Sequence, residues 1–161
     1  MHVLLPTDGS DIALEAATRG LAVLGDPTKV TLLSVVGDLV ADTGAGGIEG
    51  PVYSPEQEEE LRRSEEENAS RALADLRKVV EAAKPKTTIA HVVETGDPAA
   101  TICLVAGNLD VDVVVVGSHG KGFLSRVLLG SVSEHVTRHA PCPVLVVRPR
   151  ETTGDRPSRS D

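Results

Sequence analysis

The sequence predicts an α/β protein built on an open parallel sheet, and three features point to it. Short runs of valine, leucine and isoleucine alternate with segments of helical periodicity. The runs are apolar almost without interruption, as strands are when helices cover both faces of a parallel sheet. The helix starts carry residues that cap exposed backbone N–H groups.

The first run, "HVLL" at 2–5, is followed by Ala13, Ala16, Ala17, Leu21 and Leu24 at helical spacing and then by "VTLLSVV" at 30–36, which together make a βαβ unit. Residues 37–55, "GDLVADTGAGGIEGPVYSP", hold five glycines and two prolines with little periodicity and read as a mobile surface loop. Ser54-Pro55-Glu56-Gln57 then supplies a capping serine, a proline at the first helical position and a glutamine placed to close a capping box. The helix that follows, from about 56 to 83, puts Ala69, Leu73, Leu76, Val80 and Ala83 on one face. Its glutamates come early, where the helix dipole favours them, and read as a solvated face.

"TTIAHVV" at 87–93 predicts a third strand, and Asp97-Pro98 repeats the capping logic for the next helix. "VDVVVVG" at 111–117 predicts the fourth strand, a last helix runs from Gly130 to about His139, and "PVLVV" at 143–147 predicts the fifth strand. "RETTGDRPSRSD" at 150–161 reads as a disordered tail, which leaves a single domain over 1–149.

Composition narrows the function classes. A chain of 161 residues can bury a core without disulfide or metal staples. With only Tyr53 and Phe123 aromatic, that core is built from Val, Leu, Ile and Ala. A net charge of −8 argues against a nucleic-acid footprint, and no aromatic platform exists for stacking bases. No signal peptide or bilayer-length apolar run is present, so a cytoplasmic protein is expected. Cys103 and Cys142 are far apart in sequence and form no CxxC, which favours ordinary reduced thiols. "NAS" at 68–70 matches a glycosylation sequon by chance in such a protein.

In an open parallel sheet, ligands bind beyond the carboxyl ends of the strands, where strand order reverses. The first strand ends there in Pro6-Thr7-Asp8-Gly9-Ser10, and the fourth in Gly117-Ser118-His119-Gly120. "GSHGKG" places three glycines in six residues, more than the geometry of a strand-to-helix connection requires. Further on, Gly130 precedes Ser131, Val132 and Ser133 at a helix start, where unpaired N–H groups, the helix dipole and hydroxyls suit a phosphate. The spacing is neither a P-loop nor a dinucleotide fingerprint. "GAGGIEG" at 44–50 resembles the latter loosely but does not join a strand directly to a helix.

Several polar residues allow two readings. Asp8 is read as a ligand contact, with capping of the first helix as the alternative, for which Ser10 is better placed. His119 is read as a general base, a phosphate contact or a plain loop residue, with catalysis the weakest of the three because no carboxylate in its segment orients the ring. His135 and His139 lie four apart without an HExxH context and are read as structural. Lys121 and Arg126 either add positive potential at the phosphate loop or are solvated.

The pattern Gly117-x2-Gly120-x9-Gly130-Ser131, the string "LLGSVSEHVTRHAPCPVLVV" at 128–147 and the opening "LLPTDGS" at 4–10 resemble the universal stress protein family, in its ATP-binding branch. The resemblance spans about residues 2–148. It implies a five-stranded parallel sheet in the order 3-2-1-4-5, with ATP over the ends of strands 1 and 4. Asp8 and the backbone around Val35 would face adenine and ribose, with Pro6 and Thr7 shaping that wall. Gly117, His119 and Gly120 would line ribose and phosphates, and Gly130, Ser131, Val132 and Ser133 would hold phosphate oxygens. Mg2+ would arrive with the nucleotide, coordinated chiefly by phosphates and water. Two departures are visible: the first strand begins almost at Met1 without a basic lead-in, and Ser34, read as a rim residue, stands where many members have histidine.

The function expected is ATP binding by a regulatory stress-response protein with slow or no hydrolysis, since no P-loop lysine is present. The alternatives are a genuine ATPase or adenylating enzyme of a related family, and a nucleotide-free interaction module. In the implied sheet order the fifth strand is an uncharged apolar edge, so a homodimer through 143–147 is also expected.

Overall fold

The computed structural model describes residues 1–37, 53–119 and 129–148. Gly120, Lys121, Arg126, the 150–161 tail and most of the 37–55 loop lie outside the described residues. Five strands and four helices alternate: β1 (His2–Thr7), α1 (Asp11–Leu24), β2 (Lys29–Val36), α2 (Pro55–Ala83), β3 (Thr88–Thr95), α3 (Pro98–Asn108), β4 (Val113–Gly117), α4 (Ser131–His139) and β5 (Val144–Val147). The strands form one sheet, all parallel, in the order β3-β2-β1-β4-β5. The order expected from the resemblance is the order observed.

Each continuous apolar run divides between two cores, because successive side chains of a strand point to opposite faces. Val3, Leu5, Val30, Leu32, Val113 and Val115 face α1 and α2, where they meet Ala16, Ala17, Leu21, Leu73, Leu76 and Val80. Leu4, Leu33, Val114 and Val116 face the other way, against Ile102, Val105 and Ala106 of α3 and Val136 of α4. Burying each such leucine or valine contributes roughly 1.5–3 kcal/mol. Small residues bring the layers close: a Cβ at Gly20, in the middle of α1, would stand 2.5 Å from Val115 Cγ1. That approach explains a helix-interior glycine whose local propensity is poor.

The caps form as read. Ser10 Oγ accepts from the N–H of Ala13, Ser54 and Gln57 close a reciprocal capping box, and the Asp97 carboxylate accepts from the N–H of Ala100. Two expectations need correction. Burial on both faces holds for β1, β2 and β4 but not for β3, every residue of which is exposed or half-buried. The reason is position, since β3 is an edge strand and has a neighbour on one side only. Ala83, assigned to the buried face of α2, is exposed because it is the last residue of the helix. No helix among the described residues is long and apolar enough to cross a membrane.

At the amino ends of the strands His2 is half-buried, with Nε2 2.8 Å from the hydroxyl of Thr31 on the neighbouring strand. Burial, and then the charge of Lys29, hold its pKa below the ordinary imidazole value, with Asp112 partly opposing them. The folded chain therefore favours neutral His2, and the unfolded chain takes up the extra proton as pH falls through its own histidine pKa, near ~6.5. Stability contributed by neutral His2 is present above that pH and lost below it. Melting temperatures measured between about pH 7.5 and 5.5 should fall less steeply for His2→Gln than for the wild type; equal slopes would show that His2 does not contribute to the acid sensitivity.

Candidate functional site

The exit of β1 is a braced turn. Gly9 takes φ 76°, a left-handed conformation that favours glycine, and its N–H donates to Thr7 Oγ1 at 3.1 Å. Asp8 Oδ1 accepts from the backbone N–H of Ser10 at 3.0 Å and from the Ser10 hydroxyl at 2.6 Å. Ser10 in turn caps α1. Of the two readings of Asp8, direct capping is therefore not what forms: its carboxylate holds the residue that does the capping.

The exit of β4 is tied to the start of α4. Ser133 Oγ donates to the Gly117 carbonyl at 2.6 Å, and the Gly130 N–H donates to the Ser118 carbonyl at 2.8 Å. Ser118 and Ser133 are both buried, and the Ser118 N–H donates to Val147 of β5. Ser118 Oγ lies 2.9 Å from His119 Nδ1. Gly117 is glycine for a steric reason, since a Cβ there would lie 2.9 Å from Ile12 Cγ2 and 3.2 Å from the His119 carbonyl oxygen.

Helix α4 begins without a side-chain cap. Gly130 is its N-cap at φ −63°, ψ 152°, and the first helical hydrogen bond runs from the Glu134 N–H to the Gly130 carbonyl. The N–H groups of Ser131, Val132 and Ser133 thus have no acceptor within the helix, and the helix dipole adds positive potential beside them.

These exits open on a cleft of about 480 Å³, in the size range of small-molecule sites. From β1 it is lined by Pro6, Thr7 and Asp8, and from β2 by Val35. Gly117 and His119 line it after β4, and Gly130, Ser131, Val132 and Ser133 at the start of α4. Every site residue expected from the sequence and described in the structure is on this wall; Gly120 is outside the described residues. The hydroxyl of Ser133 is occupied by Gly117, which leaves its backbone N–H as the group able to meet a ligand.

Sequence reasoning missed the other walls. Ala13 of α1, Leu33 and Val36 of β2, Val116 of β4, Pro98 and Ile102 of α3, and Glu65, Asn68, Ala69 and Ala72 of α2 also face the cleft. Ser34 is buried in the wall and not at the rim. The one signal available was on α2, whose core-facing stripe changes from leucine and valine to alanine where the cleft lies.

Residues away from the cleft have local explanations. His139 Nδ1–H donates to the His135 carbonyl at 2.9 Å, and the two rings stack with centroids 4.2 Å apart. Cys103 and Cys142 are half-buried against the same apolar cluster, and burial pushes both thiols up, away from the reactive thiolate.

A protein-family model, the universal stress protein family, matches residues 1–148. Universal stress protein MJ0531 of Methanocaldococcus jannaschii is 35% identical over 147 residues, covering 91% of this chain and 81% of the relative. The solved structure of protein MJ0577 from the same organism has a TM-score of 0.74 at 29% identity, covering 94% of this chain and 97% of that one. A family protein of Arabidopsis thaliana solved with AMP bound has a TM-score of 0.62 at 21% identity, covering 94% of this chain and 93% of that one, a likeness of fold.

The tie between β4 and α4 is testable without any ligand. Ser133→Ala leaves the half-buried Gly117 carbonyl short of a donor, a loss of about 1–3 kcal/mol. That should lower the melting temperature by roughly 2–12 °C, and an unchanged value would mean that another donor takes over. Gly117→Ala should destabilise by a similar amount, about 1–3 kcal/mol, through overpacking against Ile12.

Proposed function

The chain belongs to the universal stress protein family, and from that membership we propose that it binds ATP in this cleft as a regulatory protein, with slow or no hydrolysis. One observation carries the reading: the start of α4, which has no side-chain cap and whose first-turn N–H groups have no acceptor within the helix, lines a cleft at the carboxyl ends of β1 and β4, where the strand order reverses. A phosphate chain fits that end, because backbone donors and a helix dipole bind an anion without needing a lysine. The apolar walls from Leu33, Val35, Val116 and Ile102 suit a flat heterocycle. The choice of ATP among adenine nucleotides rests on the spacing Gly117-x2-Gly120-x9-Gly130-Ser131. Mg2+ accompanying the nucleotide would supply charge neutralisation and would be held mainly by phosphate oxygens and water. Mass spectrometry of nucleotide released from the denatured protein, with calorimetry on the stripped protein, tests the reading, and absence of both bound and binding adenine nucleotide would reject it.

Gly130→Asp separates the cradle from the fold. Gly130 holds a conformation open to any residue, and aspartate is a good N-cap beside a positive dipole, so the melting temperature should hold or rise. The new carboxylate would occupy the place of the phosphate, and ATP affinity should fall by at least about tenfold, the equivalent of ~1.4 kcal/mol. Retained affinity would take the α4 terminus out of the site.

The same reading includes a homodimer through β5. The carbonyls of Pro143 and Val147 accept from β4, so by alternation the backbone groups of Val144 and Val146 point out from the edge. Val146 also packs against the apolar cluster, so a charged side chain there would disturb packing as well as pairing. Val146→Pro instead removes an outward donor and leaves the β4 ladder intact. Sedimentation at tens of micromolar should show a dimer for the wild type and a monomer for Val146→Pro; a wild-type monomer would end the proposal.

A further inference from the structure

The stripe that buries α2 runs through Val80, Leu76, Ala72 and Ala69 toward the amino-terminal half of the helix, and one turn further it reaches Glu65. A helix lying on a sheet places apolar residues along such a stripe, and here a carboxylate takes the next position. Glu65 is half-buried, whereas Ser64, Glu66 and Glu67 beside it are exposed. Several other acidic groups of α2 have cationic partners: Glu59 and Glu66 flank Arg62, Glu67 meets Arg63, Asp75 meets Lys78 and Glu81 meets Arg77. Among the described residues Glu65 makes no ion pair or hydrogen bond, although Arg62 and Arg63 lie within a turn of it. It lines the cleft beside Ala69 and Ala72, whose small side chains leave the space that a leucine would fill.

A half-buried carboxylate that lines a cleft and makes no protein hydrogen bond is an acceptor open to a ligand. A phosphate is not the group it meets, because like charges repel. The positions of the elements separate the two groups. Helix α2 packs on β2 and α4 on β5, and these strands lie on opposite sides of β1 and β4. The cleft therefore offers donors and positive potential at its α4 end and an acceptor with negative charge at its α2 end. A ligand that satisfies both carries an anion at one end and hydrogen-bond donors at the other.

We infer that Glu65 is a specificity-determining residue that accepts a hydrogen bond from the nucleoside end of the ligand, from a sugar hydroxyl or an exocyclic amine. The inference rests on the nucleotide reading above. Calorimetric affinities of ATP, 2′,3′-dideoxy-ATP and purine riboside triphosphate, measured on the wild type and on Glu65→Met, test it and separate the two donors. The wild type binds ATP about 10- to 100-fold more tightly than the analogue lacking the donor that Glu65 accepts from. In Glu65→Met that ratio collapses toward unity, while the melting temperature holds, because methionine keeps the length and helix propensity of glutamate. Equal wild-type affinity for all three nucleotides, or a ratio that survives in Glu65→Met, overturns the inference and leaves the nucleotide reading standing. Failure of the wild type to bind any of the three removes both.

Discussion

Two hydrogen bonds to consecutive carbonyls decide where the cleft has its positive end. The Gly117 carbonyl takes the Ser133 hydroxyl and the Ser118 carbonyl takes the Gly130 N–H, so the last residue of β4 and the first turn of α4 are held as one unit. Ser118 and Ser133 are buried, and a buried serine hydroxyl or carbonyl left without its partner would be costly, which makes this arrangement hard to relax. The Ser118 N–H adds β5 to the same unit through Val147. Three separate stretches of chain thus converge on the point where the helix dipole faces the cleft.

The rest of the wall depends on how closely α1 can approach that unit. Gly117 admits Ile12, and Gly20 admits Val115, so the helix lies against β4 with no room for a side-chain carbon at either contact. Such packing without large aromatics gives a thin, tight layer, and the cleft is the place where it opens. Ala69 and Ala72 widen it from the α2 side, while the turn braced by Asp8 and Ser10 closes it at β1. Asp8 thereby joins local structure to the site: its carboxylate orders the turn whose residues form part of the wall.

The edges follow a different logic from the centre. β1, β2 and β4 are buried on both faces and carry nearly uninterrupted apolar sequence, whereas β3 and β5 have one neighbour each. β3 meets this with threonine, histidine and glutamate among its apolar residues, and its side chains stay largely in solvent. β5 has four apolar residues and no charge, with three of them half-buried, so that edge lacks the charged side chains that would block strand pairing.

The amino-acid sequence by itself determined the element types, the caps at Ser10, Ser54 and Asp97, and the glycine-bearing loops after β1 and β4, because these depend on contacts between residues a few positions apart. The resemblance carried the strand order and identified the residues that meet on one wall. What only the tertiary structure decided was how residues distant in sequence share an environment. That Gly117 is small for Ile12, that the Ser133 hydroxyl belongs to a carbonyl, and that the stripe of α2 carrying Glu65 borders a cleft at that point and not packed core are not readable from periodicity, which gives the face of a helix but not what lies against it. Edge position exposes β3 for the same reason: its own run of apolar residues reads like a central strand, and only the placement of its neighbours shows which of its sides remains open.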